Sequence, residues 1–236
     1  GLNTNGDCFL QLAQSIPYSI IRKECFDAEN LEALFFGKLN LLEENLEDEY
    51  YLKLKNNWKY LKLKYNLQPE FGLQPQFFKL RPDNFPTIRL SQLIYLISNN
   101  QNLFSQLIEA NYYSEIKNLL KSETTEYWKN HYNFSKTSKL KSKILTSQFI
   151  DLLIVNTIVP IKFSYHKNQG KLNVEELMGL LETIPSEKNS IIEKFSEFKI
   201  KSENVLQSQS LIELKSEYCN QKKCLNCAVG LQLLKN

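Results

Sequence analysis

The sequence predicts an all-α protein, an irregular multi-helix domain of roughly ten helices joined by one extended Pro-rich connector. Three observations carry this prediction. Gly and Pro number seven each in 236 residues, so chain breakers are few. Strand-like alternation is almost absent. Apolar residues recur at helical spacing instead, and a hydrophobic fraction of 42% is ample for a core. Residues 1–236 read as a single helical domain, with a subdivision available as 1–67 and 68–236.

The elements follow in chain order. "ENLEALFFGKLNLL" places Leu31, Leu34, Phe35 and Leu39 on one side of a helix. "LKLKNNWKYLKLKY" places Leu54, Trp58, Leu61 and Tyr65 on one stripe, with its lysines mostly on a solvated face. "NLQPEFGLQPQFFKLRPDNFPT", residues 66–87, holds four of the seven prolines and reads as the connector. A helix is expected to start near Asn84 to Pro86, because Pro fits the first helical turn. "SQFIDLLIVNTIVPIKF" is apolar nearly all round and predicts a central buried helix, kinked or ended by Pro160. Asp151 and Asn156 would then be buried polar groups in need of partners. "NVEELMGLLETI" and "NVLQSQSLIELKSEY" predict helices capped by Asn173 and Asn204, and "PSEKNSIIEKF" offers Ser186 as a cap.

Charge and termini bound the function. A net charge of +3 does not force a nucleic-acid reading. Only Arg22, Arg81 and Arg89 are arginines among 29 basic residues. A Lys- and Asn-rich chain of this kind keeps Arg where a planar fork is needed. Five cysteines and no secretion signal fit a reducing, cytoplasmic setting. No apolar run reaches the ~18–20 residues of a membrane span, so no membrane partner is expected. The start at "GLNTNGDCF", without Met, reads as a piece of a longer protein or a processed form.

Three segments could carry chemistry. In "EYCNQKKCLNCAVG", Cys219, Cys224 and Cys227 have a C-x-x-C half with metal-ligand spacing. Zinc wants four ligands and an iron–sulfur cluster normally four thiolates; His131, His166, Cys8 and Cys25 are the distant candidates for the fourth. The same stretch also reads as a helix with Cys224 and Cys227 one turn apart, so buried thiols and a redox pair stay open beside a metal site. In "RPDNFPTIRLSQL", Arg81 and Arg89 near a helix N-terminus could hold an anion, or could pair internally and fix the connector. Residues 127–149 contain no acid. They carry Lys129, Lys136, Lys139, Lys141 and Lys143 beside Tyr127, Trp128, His131, Tyr132 and Phe134. Cations beside aromatics suit single-stranded nucleic acid, although a core of rings under a solvated loop is the plainer reading. No phosphate-binding glycine loop, nucleophile elbow or triad is evident, so no catalytic residue is assigned.

"RPDNFPTIRLSQL", "FIDLLIVNTIVPIKFSY", "SEKNSII" and "EYCNQKKCLNCAVG", in that order, resemble the C-terminal half of a bacterial family of unknown function, domain-of-unknown-function family 2851. Arg81, Pro82, Asn84, Phe85, Pro86 and Arg89 match its motif, as do Asn156, Pro160 and the three cysteines. The resemblance implies a helical region behind an N-terminal α/β part similar to a restriction-endonuclease type of nuclease core, which would be this domain's partner. It implies no catalytic residues. Cys8 and Cys25 match no motif, which leaves His131 as the better fourth ligand. The expectation is thus a non-catalytic helical accessory domain of a nucleic-acid-processing protein. The alternative is a structural or protein-interaction domain clamped by a Cys-ligated zinc or iron–sulfur cluster. A third reading is a small-molecule site around Asp151, Asn156 and Arg89.

Overall fold

The computed structural model describes residues 3–68 and 72–234. Among the described residues the protein is all-α apart from one short hairpin. Pro69, within the expected connector, lies outside the described residues. The chain forms two compact units, Gly1–Gln106 with Asn118–Ile150 and Leu107–Lys117 with Asp151–Asn236. The subdivision placed at 67/68 therefore falls inside the first unit. The reason is packing: Leu61, Leu67, Leu73 and Ile88, on both sides of that point, share one hydrophobic core.

The first unit opens with α1 (Gly6–Ser15), α2 (Tyr18–Glu24), α3 (Ala28–Lys38) and α4 (Glu49–Lys64). Asp27 caps α3 by accepting from the N–H groups of Glu29 and Asn30, and Asp48 caps α4 by accepting from that of Tyr51. Every residue from Leu31 to Lys38 is buried, so α3 is the central helix. The stripe Leu54, Trp58 and Leu61 of α4 is buried as expected. It lies against α3 where Gly37 has no side chain: a Cβ there would overlap the indole of Trp58. The connector ends in a 3₁₀ turn, Pro82–Asn84, and α5 (Pro86–Asn99) begins with Pro at its first position, as expected. Short helices α6 (Leu103–Glu109) and α7 (Tyr113–Leu119) follow, and their stretch Leu107–Lys117 belongs to the second unit.

The basic segment, read above as core rings under a solvated loop or as a nucleic-acid surface, holds the short strands. A 3₁₀ turn at Glu126–Lys129 leads into an antiparallel hairpin, β1 (His131–Asn133) and β2 (Lys136–Thr137). Ser135 turns it with φ 61°. Trp128 is fully buried. Phe36 and Phe134 meet its indole at ring-centroid distances of 5.5 and 5.1 Å. Aromatic packing on α3, rather than strand propensity, thus holds the segment down.

Helix α8 (Ser147–Leu153) runs through a π-helical stretch of the second unit, Ile154–Ile158, into α9 (Val159–Asn168). Pro160 sits in the first turn of α9. It lacks the N–H that an α-helix would direct at Asn156, and the wider π turn accommodates that loss without ending the helix. Burial is one-sided: Ile154, Val155 and Ile158 are buried, while Leu152, Ile161 and Phe163 are exposed. The expected fully buried helix is α3 instead.

Helices α10 (Val174–Thr183), α11 (Ser190–Glu197) and α12 (Val205–Glu213) follow, with α10 and α11 both packed on α12. Asn173 and Asn204 cap α10 and α12 as expected. Asn189, not Ser186, caps α11, accepting from the N–H groups of Ile191 and Ile192; the Ser186 hydroxyl is turned to Ser202. A second π stretch, Leu214–Cys219, a 3₁₀ turn, Cys224–Asn226, and α13 (Ala228–Leu234) complete the described chain. Among the described residues no helix is long and apolar enough to cross a membrane.

Candidate nucleic-acid interface

Asp83 joins the connector to the basic segment. Its carboxylate accepts from the Tyr132 hydroxyl at 2.9 Å and from the Lys141 ammonium at 2.9 Å. The Lys141 hydrogen bond, joined by that of Tyr132, holds the Asp83 carboxyl below its ordinary range despite partial burial. Thr87 adds a second tie, donating its hydroxyl proton to the Tyr132 carbonyl at 2.7 Å. These contacts bring residues 77–89 and 131–143 together. Exposed Arg81, Lys136, Lys139 and Lys141 lie on them, with Phe78 and Leu140 each 78% exposed.

Two of the expected phosphate contacts are structural. Lys143 is buried, and its ammonium donates to the carbonyls of Trp128, Lys129 and His131 while lying 4.2 Å from the Tyr132 ring centroid. Burial lowers its pKa. An ammonium has three protons, so none remains for a ligand. Arg89 is half-buried. Its guanidinium donates to Asn84 Oδ1 at 2.6 Å and Gln92 Oε1 at 3.0 Å and covers the Phe149 ring at 4.1 Å. It therefore fixes the start of α5, the internal role weighed for it above. Lys129 is paired with Glu126 at 2.8 Å. Among the described residues, Arg81, Lys136 and Lys139 form no ion pair.

His131 is 8% exposed and belongs to the first unit. Its ring stacks on Tyr127 at 3.9 Å and 4°, and Tyr127 stacks on Tyr50 at 4.3 Å. Nδ1 is 2.9 Å from the Tyr127 carbonyl, which can only accept, so Nδ1 carries the proton.

The three cysteines of the clamp reading sit on separate local elements. Cys219 closes the second π stretch, Cys224 opens the 3₁₀ turn, and Cys227 follows it with extended backbone. Helix resumes only at Ala228, so Cys224 and Cys227 do not share a helical face. Cys219 and Cys224 are exposed while Cys227 is buried. Among the described residues, no group of three His, Cys, Asp or Glu side chains is placed to hold a metal ion.

The polar pair expected in a buried helix is also placed differently. Asp151 is half-buried, accepting from the Tyr113 hydroxyl at 2.7 Å with Lys117 at 3.9 Å. Asn156 is exposed and donates back to the Leu152 carbonyl at 3.0 Å. One-sided burial of this helix explains both, and with Arg89 engaged elsewhere the three residues have separate partners.

Sequence reasoning missed Glu32, the most deeply embedded acid. It is fully buried on α3. Ser91 and Thr125 hydroxyls donate to Oε1 at 3.0 and 2.5 Å. The Tyr50 hydroxyl and Trp128 Nε1 donate to Oε2 at 2.7 and 3.0 Å. Burial raises its pKa, and these four hydrogen bonds oppose the shift. The signal was an acid sharing a helical face with Phe35, Phe36 and Leu39.

Beside the hairpin lies a cavity of about 340 Å³ that includes Phe77, Thr87 and Asn133 in its walls. A family model described as "Protein of unknown function (DUF2851)" matches residues 1–190. No curated protein and no solved structure matches the chain.

Proposed function

We propose, for a chain that belongs to the family of proteins of unknown function DUF2851, that the first unit is a non-catalytic module that binds single-stranded nucleic acid. The observation that carries this reading is the bond of Asp83 to Tyr132 and Lys141. It gathers exposed cations and exposed apolar side chains from two distant segments. Arg81, Lys136 and Lys139 would meet phosphates, beside Lys141 held by Asp83, and Phe78 and Leu140 would meet bases. Lys143 and Arg89 would support this face from beneath.

Fluorescence anisotropy with labelled single strands tests the reading. With about three or four phosphates neutralised, log K should fall against log salt with a slope near −2 to −3. Lys136→Glu combined with Lys139→Glu should weaken binding at least tenfold at low salt and flatten the slope. Absence of binding at low ionic strength would overturn the proposal.

A further inference from the structure

We propose that the cavity of about 340 Å³ beside the hairpin receives one unstacked base of the bound strand, with a preference for bases bearing an exocyclic amine. This rests on the nucleic-acid reading above and names what the same face would recognise. The volume lies at the low end of the ~300–1,000 Å³ typical of small-molecule sites, which suits a single ring system. Phe77 and Phe134 supply aromatic surface, and Leu41 and Leu46 add apolar wall. Such a surface attracts the face of any base.

The polar groups of the cavity make the selection. Glu44, Thr87 and Asn133 line it. The Thr87 hydroxyl spends its proton on the Tyr132 carbonyl, so only its lone pairs face a ligand. The Glu44 backbone carbonyl is occupied by Tyr51 and Lys55, whereas its exposed carboxylate has no partner among the described residues. Asn133 is exposed and offers both an acceptor and a donor. Acceptors thus outnumber donors. Adenine, cytosine and guanine present an amine to such a set; thymine and uracil present mainly carbonyls.

Charge places the backbone of the strand. Glu44 belongs to the acidic stretch "EENLEDE", residues 43–49, whereas Asn133 and Phe134 belong to the hairpin that carries Lys136. One rim of the cavity is therefore anionic and the other cationic. A single phosphate backbone can follow the cationic rim, while the second backbone of a duplex would meet the acids.

The test compares oligo-dA, oligo-dC and oligo-dT with an oligo-dA carrying abasic sites, all by anisotropy at one salt concentration. Oligo-dA and oligo-dC should bind about tenfold more tightly than oligo-dT. Phe77→Ala and Asn133→Ala should each cost oligo-dA about fivefold or more without changing the salt slope. Glu44→Gln should shrink the preference over oligo-dT. The Asn133 side chain is exposed, so Asn133→Ala remains informative should Phe77→Ala fail to fold. A 2-aminopurine within the strand should be quenched by the native protein. Equal affinity for all strands, unaltered by Asn133→Ala, would overturn the base pocket and leave phosphate binding intact. Failure of every strand to bind would overturn the nucleic-acid reading and the pocket with it.

Discussion

Glu32 and Glu24 show how two buried carboxyls on neighbouring helices answer pH in opposite directions. Glu24 is 5% exposed. Burial alone would raise its pKa, but hydrogen bonds from Lys64, Tyr65 and Asn30 outweigh it and hold the group below its ordinary value. Its stabilising effect is therefore present above the unfolded-state pKa and is lost as pH falls through the lower folded value. Glu32 is shifted upward by burial. Its effect is fully present below the ordinary carboxylate pKa and is lost as pH rises through the raised folded value. Thermal melts across pH should separate them. Glu24→Gln should reduce the loss of stability in acid, and Glu32→Gln should flatten the decline on the alkaline side of the usual carboxylate range. Glu32→Ala is a different case. Trp128 Nε1–H would lose its acceptor, and three hydroxyls would lose theirs. Orphaned buried donors cost ~1–3 kcal/mol each, so a loss of about 3 kcal/mol or more is expected in denaturant titrations.

At the scale of elements, α3 depends on a close approach and α11 on a cap. Gly37→Ala would drive a methyl group into Trp58, and the helices would have to separate or the indole rotate. Overpacking of this kind costs ~1–3 kcal/mol, read as a lowered denaturation midpoint. Asn189→Ala removes the acceptor for two N–H groups of α11 and should cost ~1 kcal/mol, whereas Ser186→Ala should cost less. In the second unit, the buried Lys162 ammonium donates to the carbonyls of Leu107, Ile108 and Ala110. Lys162→Met keeps the apolar stem but leaves those carbonyls without a donor, and a loss of ~2–3 kcal/mol is expected by the same denaturant measurement. The caps Asn173 and Asn204 were legible in the sequence because side-chain capping is local. Asn189 prevailed over Ser186 because helical backbone begins at Ser190, which places Asn189 and not Ser186 at the cap position.

For the whole molecule, the distribution of cations matters more than the net charge of +3. Lys143 and Arg89 are consumed internally, so single substitutions there should lower stability before they alter the phosphate binding proposed for the exposed face. Cys219, Cys224 and Cys227 do not converge, and a chelator should leave helical circular dichroism and melting temperature unchanged. Loss of helicity with EDTA would contradict that arrangement. The candidate face itself was half legible. The lysines and rings of residues 127–143 stood out, as did Arg81. Asp83, Phe77 and Glu44 did not, because their roles arise only where segments more than forty residues apart meet.

Local periodicity and capping were enough to set the all-α class, the buried stripe of α4 and the start of α5 at Pro86. Those features depend on residues within a few turns of one another. Tertiary structure alone decided that α3 rather than the 149–163 segment is the buried helix, and that the basic segment is a hairpin. It also decided which lysines are consumed as internal donors and which stay exposed. Burial and hydrogen-bond partnership depend on what the rest of the chain places opposite a residue, and a local pattern does not contain that information.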